Sequence, residues 1–340
     1  MNYQLCVPAA LRLVLFLFAS ALALPASAQS PIMSPFNLDA AIDHGVHKEA
    51  NVAYGDGEYR KLDIYTPENQ TGPAPVVMFI YGGGWAAGEK SEYEFVARAF
   101  AANGFVAVIP NYRKYPEVVY PDFLYDNAEA VKWIEDNIAN YGGDKNRFFL
   151  SGHSAGAYNA VMLAVDGEYF REYGVTMPIR GVAGISGPYN FYPFEYDEVR
   201  RTFGAAPNPE GTQPINLVTE NAPPMLLISG TSDPIVRVQN TTAFAKKLQA
   251  SGIWVTEKYY EGFGHMEPVI SLGAMWRWRA PVLADTLQFF QTFGAFPSGT
   301  PKPVYTPEPP AEERDPMTAL IEQMDGILDP VGGVGAAGGG

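Results

Sequence analysis

Residues 148–163 read FFLSGHSAGAYNAVML, and the turn in the middle of that stretch decides the fold. FFL is a short, continuously apolar run of the kind a strand buried on both faces carries. AGAYNAVMLA, directly after Ser154, has no proline and is rich in alanine, so it reads as a helix to about Ala164. Between the two, Gly152, His153, Ser154, Ala155 and Gly156 fit G-x-S-x-G. That spacing removes the side chains two residues either side of the serine. Only then is a strand-to-helix turn tight enough to leave the hydroxyl exposed at its tip. Five residues alone are a weak signal, since a serine before a helix is ordinarily a cap. The strand before it and the helix after it make the signal specific.

Outward from this turn, short apolar runs alternate with helical patterns. YRKLDIY (59–65) alternates like a half-buried strand and VVMFI (76–80) is continuously apolar. FVAVIP (105–110), GVAGIS (181–186), MLLIS (225–229) and WVTEKYY (254–260) are further strands. The helices are read over 93–104, 122–143, 238–252 and 280–294, each closed by glycine. Near-regular alternation predicts an α/β chain: a mostly parallel central sheet with helices on both faces. Residues 187–222 break the alternation and read as a cap-like excursion over the C-terminal edge of the sheet, where ligands bind in such folds.

The two ends have other compositions. Arg12 precedes an apolar run over 13–24, followed by PASAQS with small residues at Ala26 and Ala28. This is a signal-peptide pattern, and about twelve apolar residues are too few for a bilayer span of about 20. The expected organisation is a signal peptide over 1–28 and one α/β domain over 29–296 with the 187–222 insertion. A Pro/Gly-rich tail over 297–340 is expected to form no core. Within it, MTALIEQMDGIL (317–328) has the spacing of a short amphipathic helix. Export to a periplasm or the medium, with no stable membrane insertion after cleavage, is the expectation. Cleavage would remove Cys6, the single cysteine, and with it any thiolate or Cys-based metal site. It would also remove Arg12, taking the net charge from −14 to −15. So acidic a surface repels nucleic acid and anionic lipid.

A serine hydroxyl needs a neighbouring base. The chain has four histidines. His44 and His47 precede the sheet core, whereas in folds built on this turn the base follows the serine in the chain. The His153 side chain should point away from that of its neighbour Ser154. His265 remains, in a loop loosened by Gly262 and Gly264 after the last strand-like run. The acid should lie between them near a strand end. Asp233, four residues past MLLIS, fits, and would orient the imidazole.

With these residues together the chain resembles α/β-hydrolase serine esterases. HSAGAYN, NYRKYPEVVYPDF, the GGGW loop, GTSDPIV and GFGH fall in the family order from about residue 50 to 293. Among them it is most similar to bacterial carboxylesterases of the hormone-sensitive-lipase, feruloyl/acetyl-xylan-esterase and kynurenine-formamidase groups. The resemblance implies an α/β-hydrolase fold, a Ser154–Asp233–His265 triad and Ala155 as an oxyanion donor. FIYGGGWAAG (79–88) then corresponds to the His-Gly-Gly-Gly loop, whose amides face the ester oxygen. Gly83 and Gly84 are the matching donors, and Tyr81 stands where histidine is usual. Trp85, Tyr158 and Tyr189 are the expected substrate contacts. Tyr189, Phe191, Tyr192, Phe194, Tyr196 and Phe203 make the excursion aromatic. They either stack on an aryl acyl group or a sugar, or form the core of a cap. The resemblance implies no cofactor and no metal, with a small-molecule or saccharide ester as substrate. An amidase or arylformamidase of the same fold, and a non-catalytic binding protein, remain the alternatives.

Overall fold

Eight strands form one sheet in a computed structural model that describes residues 42–294. The leader-like segment 1–28, the tail 297–340 and the helical pattern at 317–328 lie outside the described residues. The strands are β1 Val46–Ala53, β2 Lys61–Pro67, β3 Ala74–Ile80, β4 Val106–Pro110, β5 Gly143–His153, β6 Ile179–Ile185, β7 Met225–Gly230 and β8 Val255–Tyr260. The helices are α1 Glu94–Ala102, α2 Asp122–Asn137, α3 Ala155–Val165, α4 Glu168–Tyr173, α5 Asp197–Phe203, α6 Pro214–Leu217, α7 Gln239–Ala250, α8 Glu267–Ile270 and α9 Val282–Gly294. The sheet order is β1-β2-β4-β3-β5-β6-β7-β8. β1 and β2 pair antiparallel, as do β2 and β4, and every other pair is parallel.

This order puts β5 in the middle, between β3 and β6. Phe148, Phe149 and Leu150 of β5 expose no surface, and each such side chain stabilises the sheet by roughly 1.5–3 kcal/mol. The strand is longer than its apolar run, because Gly143 and Asp144 already pair with Ala74 and Pro75 of β3, ahead of a register shift that spans the exposed Lys145 and Asn146. β1 had no clear signal in VHKEANVA. Of its eight side chains only that of Val46 is buried, and an edge strand needs little hydrophobic pattern to pair. A bulge between Glu49 and Val52 puts Asn51 at φ 61, and its amide donates to Asp63 Oδ1 at 2.8 Å.

The 187–222 excursion carries α5 and α6 and packs by side chains rather than by strand pairing. Gln213 Oε1 accepts from the amides of Phe191 and Tyr192 at 2.6 and 3.2 Å. Asn240 Oδ1, from α7, accepts from those of Tyr189 and Asn190 at 3.1 and 2.9 Å. The aromatic residues divide accordingly. Tyr189 and Phe203 are wholly buried, whereas Tyr192 and Tyr196 are 44% and 55% exposed. The excursion is thus both a small core and an aromatic surface.

Candidate active site

The parallel register brings the β3, β5 and β6 ends together, since Ile80 pairs with Gly152 and His153 with Ile185. Ser154 follows at once, with φ 54 and ψ −122, a conformation costing a non-glycine residue about 1–3 kcal/mol. Its neighbours hold it there. The Ser154 amide donates to the Ile185 carbonyl at 2.9 Å, and its own carbonyl receives the Tyr158 amide at 3.1 Å. A Cβ on Gly156 would lie 2.0 Å from the Ile80 carbonyl oxygen, and one on Gly152 would lie 2.4 Å from that of Gly156. Both glycines are therefore fixed by close approach of backbone.

His265 Nε2 lies 2.9 Å from Ser154 Oγ, and His265 Nδ1 lies 2.8 Å from Asp233 Oδ2. Both partners of this pair are buried. Asp233 Oδ1 is occupied separately, accepting the amides of Ile235 and Val236 at 2.9 Å each. The carboxylate is thereby aimed: one oxygen is tied to its own loop and the other is left for the imidazole. Ser154, Asp233 and His265 come from three different loops and meet in one hydrogen-bonded relay.

Gly84 and Ala155 border the same cavity as Ser154. Gly83 does not line it. With φ 130, a Cβ there would lie 2.2 Å from the Ala87 carbonyl oxygen, so Gly83 makes the turn. Gly84 has φ 60 and open space around its missing Cβ. Tyr81, in the histidine position, is buried and stacked on Tyr112 with centroids 4.6 Å apart. Its carbonyl accepts the Tyr112 hydroxyl at 3.0 Å, and its hydroxyl accepts from Lys114 Nζ at 2.9 Å. Lys114 also lies over the rings of Tyr59, Tyr81 and Tyr112 at 4.7–5.4 Å. Burial lowers its pKa to about 8, with Glu89 and Glu92 opposing that shift. The root of the glycine loop is thus held by a lysine–tyrosine network that GGGW does not reveal.

The cavity measures about 710 Å³, and its walls include Trp85, Phe191, Tyr192, Tyr196, Ile235 and Arg237. Trp85 adopts φ 58 and donates from Nε1 to Asn159 Oδ1 at 3.0 Å. It stacks on Phe191 at 5.8 Å, with the edges of Tyr158 and Phe203 against it. Tyr158 and Tyr189 are corrected as substrate contacts. Neither exposes any surface or lines the cavity. Tyr158 donates its hydroxyl to the Thr212 carbonyl at 2.8 Å, bracing the excursion. Tyr189 stacks on Phe244 at 4.7 Å, facing the core. Phe191, two residues on, takes the wall position instead. His153 was also missed: it is buried beneath the His265 loop, between that loop and Tyr93. Among the described residues no group of three or more His, Cys, Asp or Glu side chains gathers as a metal site. Nor is any helix among them long and apolar enough to cross a membrane.

Solved structures share this architecture. Esterase B from Lactobacillus rhamnosis superposes with a TM-score of 0.69 at 20% identity, covering 84% of this chain and 95% of that one. A truncated carbohydrate esterase from gut microbiota gives 0.64 at 20% identity, covering 73% and 96%. The fold is that of the α/β-hydrolases. Among curated proteins, a probable isoprenylcysteine alpha-carbonyl methylesterase of Arabidopsis thaliana is 28% identical over 245 residues, 64% of this chain and 50% of that protein. The esterase LipC of Mycobacterium tuberculosis is 31% identical over 225 residues, 60% of this chain and 56% of that protein. The chain thus spans about half the length of these curated relatives. Residues 62–248, just over half of the chain and including both Ser154 and Asp233, match the BD-FAE family model, and the chain belongs to that family.

Proposed function

We propose that this protein hydrolyses carboxylic esters through Ser154, His265 and Asp233. The observation that carries the reading is the unbroken relay of 2.9 and 2.8 Å from Ser154 Oγ through His265 to Asp233, at the wall of a substrate-sized cavity. His265 Nε2 takes the Ser154 proton as Oγ attacks the ester carbonyl. Asp233 holds Nδ1–H and stabilises the imidazolium that forms. The amides of Gly84 and Ala155, with that of Gly83, are the donors assigned to the developing oxyanion. His265 then protonates the departing alcohol, and a water activated by the same imidazole releases the acid from Ser154. The esterase names of the curated relatives support this chemistry. The substrate class is a small-molecule or saccharide ester. With residues 1–28 read as a leader, the site of action is outside the cytoplasm.

A fluorophosphonate probe tests the reading, because it phosphonylates an activated serine, and Ser154→Ala supplies the control for labelling elsewhere. The wild-type protein should be labelled and should turn over p-nitrophenyl acetate, and Ser154→Ala should do neither. Ester turnover retained by a folded Ser154→Ala protein would remove the serine from the mechanism.

A further inference from the structure

His153 adjoins the nucleophile in sequence, yet its ring is no part of the relay. It is 1% exposed. Nε2 lies 3.1 Å from the His265 carbonyl oxygen, and Nδ1 lies 3.2 Å from the Tyr93 hydroxyl. A single neutral tautomer satisfies both contacts, with Nε2–H donating to the carbonyl and Nδ1 accepting the phenolic proton. Burial, reinforced by the neighbouring His265, holds the pKa of His153 well below the ordinary histidine value. Gly82 approaches from the third side, where a Cβ would lie 3.1 Å from Nδ1. Three segments therefore converge on one imidazole: the glycine loop, the residue that leads into α1, and the loop of the base.

The His265 loop needs such an anchor. It follows β8, contains Gly262 at φ 72, and is tied to the sheet side through the Ser232 amide, which donates to the Phe263 carbonyl at 2.9 Å. That contact fixes the loop near Asp233, not near Ser154. Misplacing a reacting group by about 1 Å costs on the order of 10²-fold in rate. The bond from His153 refers the base directly to β5, the strand that ends one residue before Ser154.

We propose that His153 is a positioning residue for the catalytic base, its Nε2–H holding the His265 main chain so that the imidazole stays within reach of Ser154 Oγ. This rests on the relay reading above. A second consequence follows from the 4.9 Å between the two ring centroids. His265 becomes a cation whenever it takes the serine proton, and a charged neighbour at that distance would oppose the step. His153 is neutral and does not.

Two substitutions separate positioning from packing. His153→Gln keeps an N–H donor at a reach similar to Nε2, and His153→Leu keeps comparable bulk without one. On a short-chain p-nitrophenyl ester, the leucine variant should lose roughly 10²-fold in kcat with KM changed less than about threefold, because the fault lies in geometry at the reacting atoms. The glutamine variant should recover to within about tenfold of wild type. A folded leucine variant with more than about a third of wild-type kcat would overturn the proposal, as would a glutamine variant no better than leucine at equal thermal stability. Should the leucine variant fail to fold, glutamine and Tyr93→Phe decide. Near-wild-type kcat in the first with a several-fold loss in the second supports the anchor. A fall of about 10² in a glutamine protein that melts like wild type refutes it. Comparison is confined to proteins whose turnover is abolished by Ser154→Ala, so a failure of the relay reading is seen separately.

Discussion

Replacing Asp233 by asparagine tests the relay at the point where the structure constrains the outcome most. The new carboxamide has one oxygen where the carboxylate of Asp233 has two, so that oxygen can serve either the two loop amides or His265 Nδ1–H. Ile235 and Val236 both donate to Oδ1 at 2.9 Å. Turning the carboxamide so that its NH₂ faces those donors would leave both unpaired, at about 1–3 kcal/mol each. The asparagine oxygen therefore stays with its loop, and the fold is kept. Its NH₂ then faces His265 Nδ1, which must become an acceptor, so the ring proton moves to Nε2. Nε2 now donates toward Ser154 Oγ, 2.9 Å away, and can no longer take its proton. The expected loss is about 10⁴ in kcat, the size seen when a triad acid is made neutral, or roughly 5.4 kcal/mol. Initial rates on p-nitrophenyl acetate measure it, with a thermal melt and fluorophosphonate labelling rate alongside. The melt should be near wild type while labelling slows in parallel with kcat. A folded variant with more than about a tenth of wild-type kcat would show that Asp233 serves only its turn.

Glycines that are alike in sequence should respond differently. Gly156→Ala sets a Cβ 2.0 Å from the Ile80 carbonyl and should give protein without activity and with a clearly lowered melt. Gly84→Ala enters open space, is opposed only by the left-handed backbone at about 1–2 kcal/mol, and should fold with kcat within about tenfold of wild type; equal damage from the two would contradict the geometry. Lys114, whose pKa burial lowers from 10.5 to about 8, binds its proton more weakly folded than unfolded, so stability should rise with pH between those values. Lys114→Met should remove that rise, and melts of both proteins at about pH 7.5 and about pH 9.5 that shift in parallel would rule the assignment out.

Much of the site was legible because it is local or follows chain order. G-x-S-x-G needs only its flanking strand and helix, and four histidines leave few choices of base. The residues that escaped are those whose partners are distant in sequence. His153 meets His265 across 112 positions and Tyr93 across 60, and neither neighbourhood carries a pattern that names the other. Lys114 lies within NYRKYPEVVYPDF, but its cage is completed by Tyr81 and Tyr59 from other segments. The excursion shows the limit most clearly. Tyr189 and Phe191 are both aromatic and two residues apart, yet one packs on Phe244 in the core and the other lines the cavity. What separates them is the anchoring of their amides by Asn240 and Gln213, which composition does not encode.

These two kinds of anchoring also divide what the site can change from what it cannot. At Gly152 and Gly156 of the nucleophile turn and at Gly83 of the glycine loop, main chain meets main chain so closely that a Cβ would lie 2.0–2.4 Å from a carbonyl oxygen. No side-chain adjustment relieves such a contact, so on the proposed function the placement of Ser154 is common to any substrate the site accepts. The outer wall is different. Phe191 and Tyr192 are held by one buried glutamine, and Tyr192 and Tyr196 present much of their rings to solvent. A smaller or larger ring there alters the cavity without moving Ser154, Asp233 or His265, because none of the contacts of the relay passes through it. On the proposed function, residues 188–198 are therefore a part of the cavity wall where side-chain bonds can rearrange to suit different esters, whereas Ser154 sits on a turn whose main-chain contacts cannot.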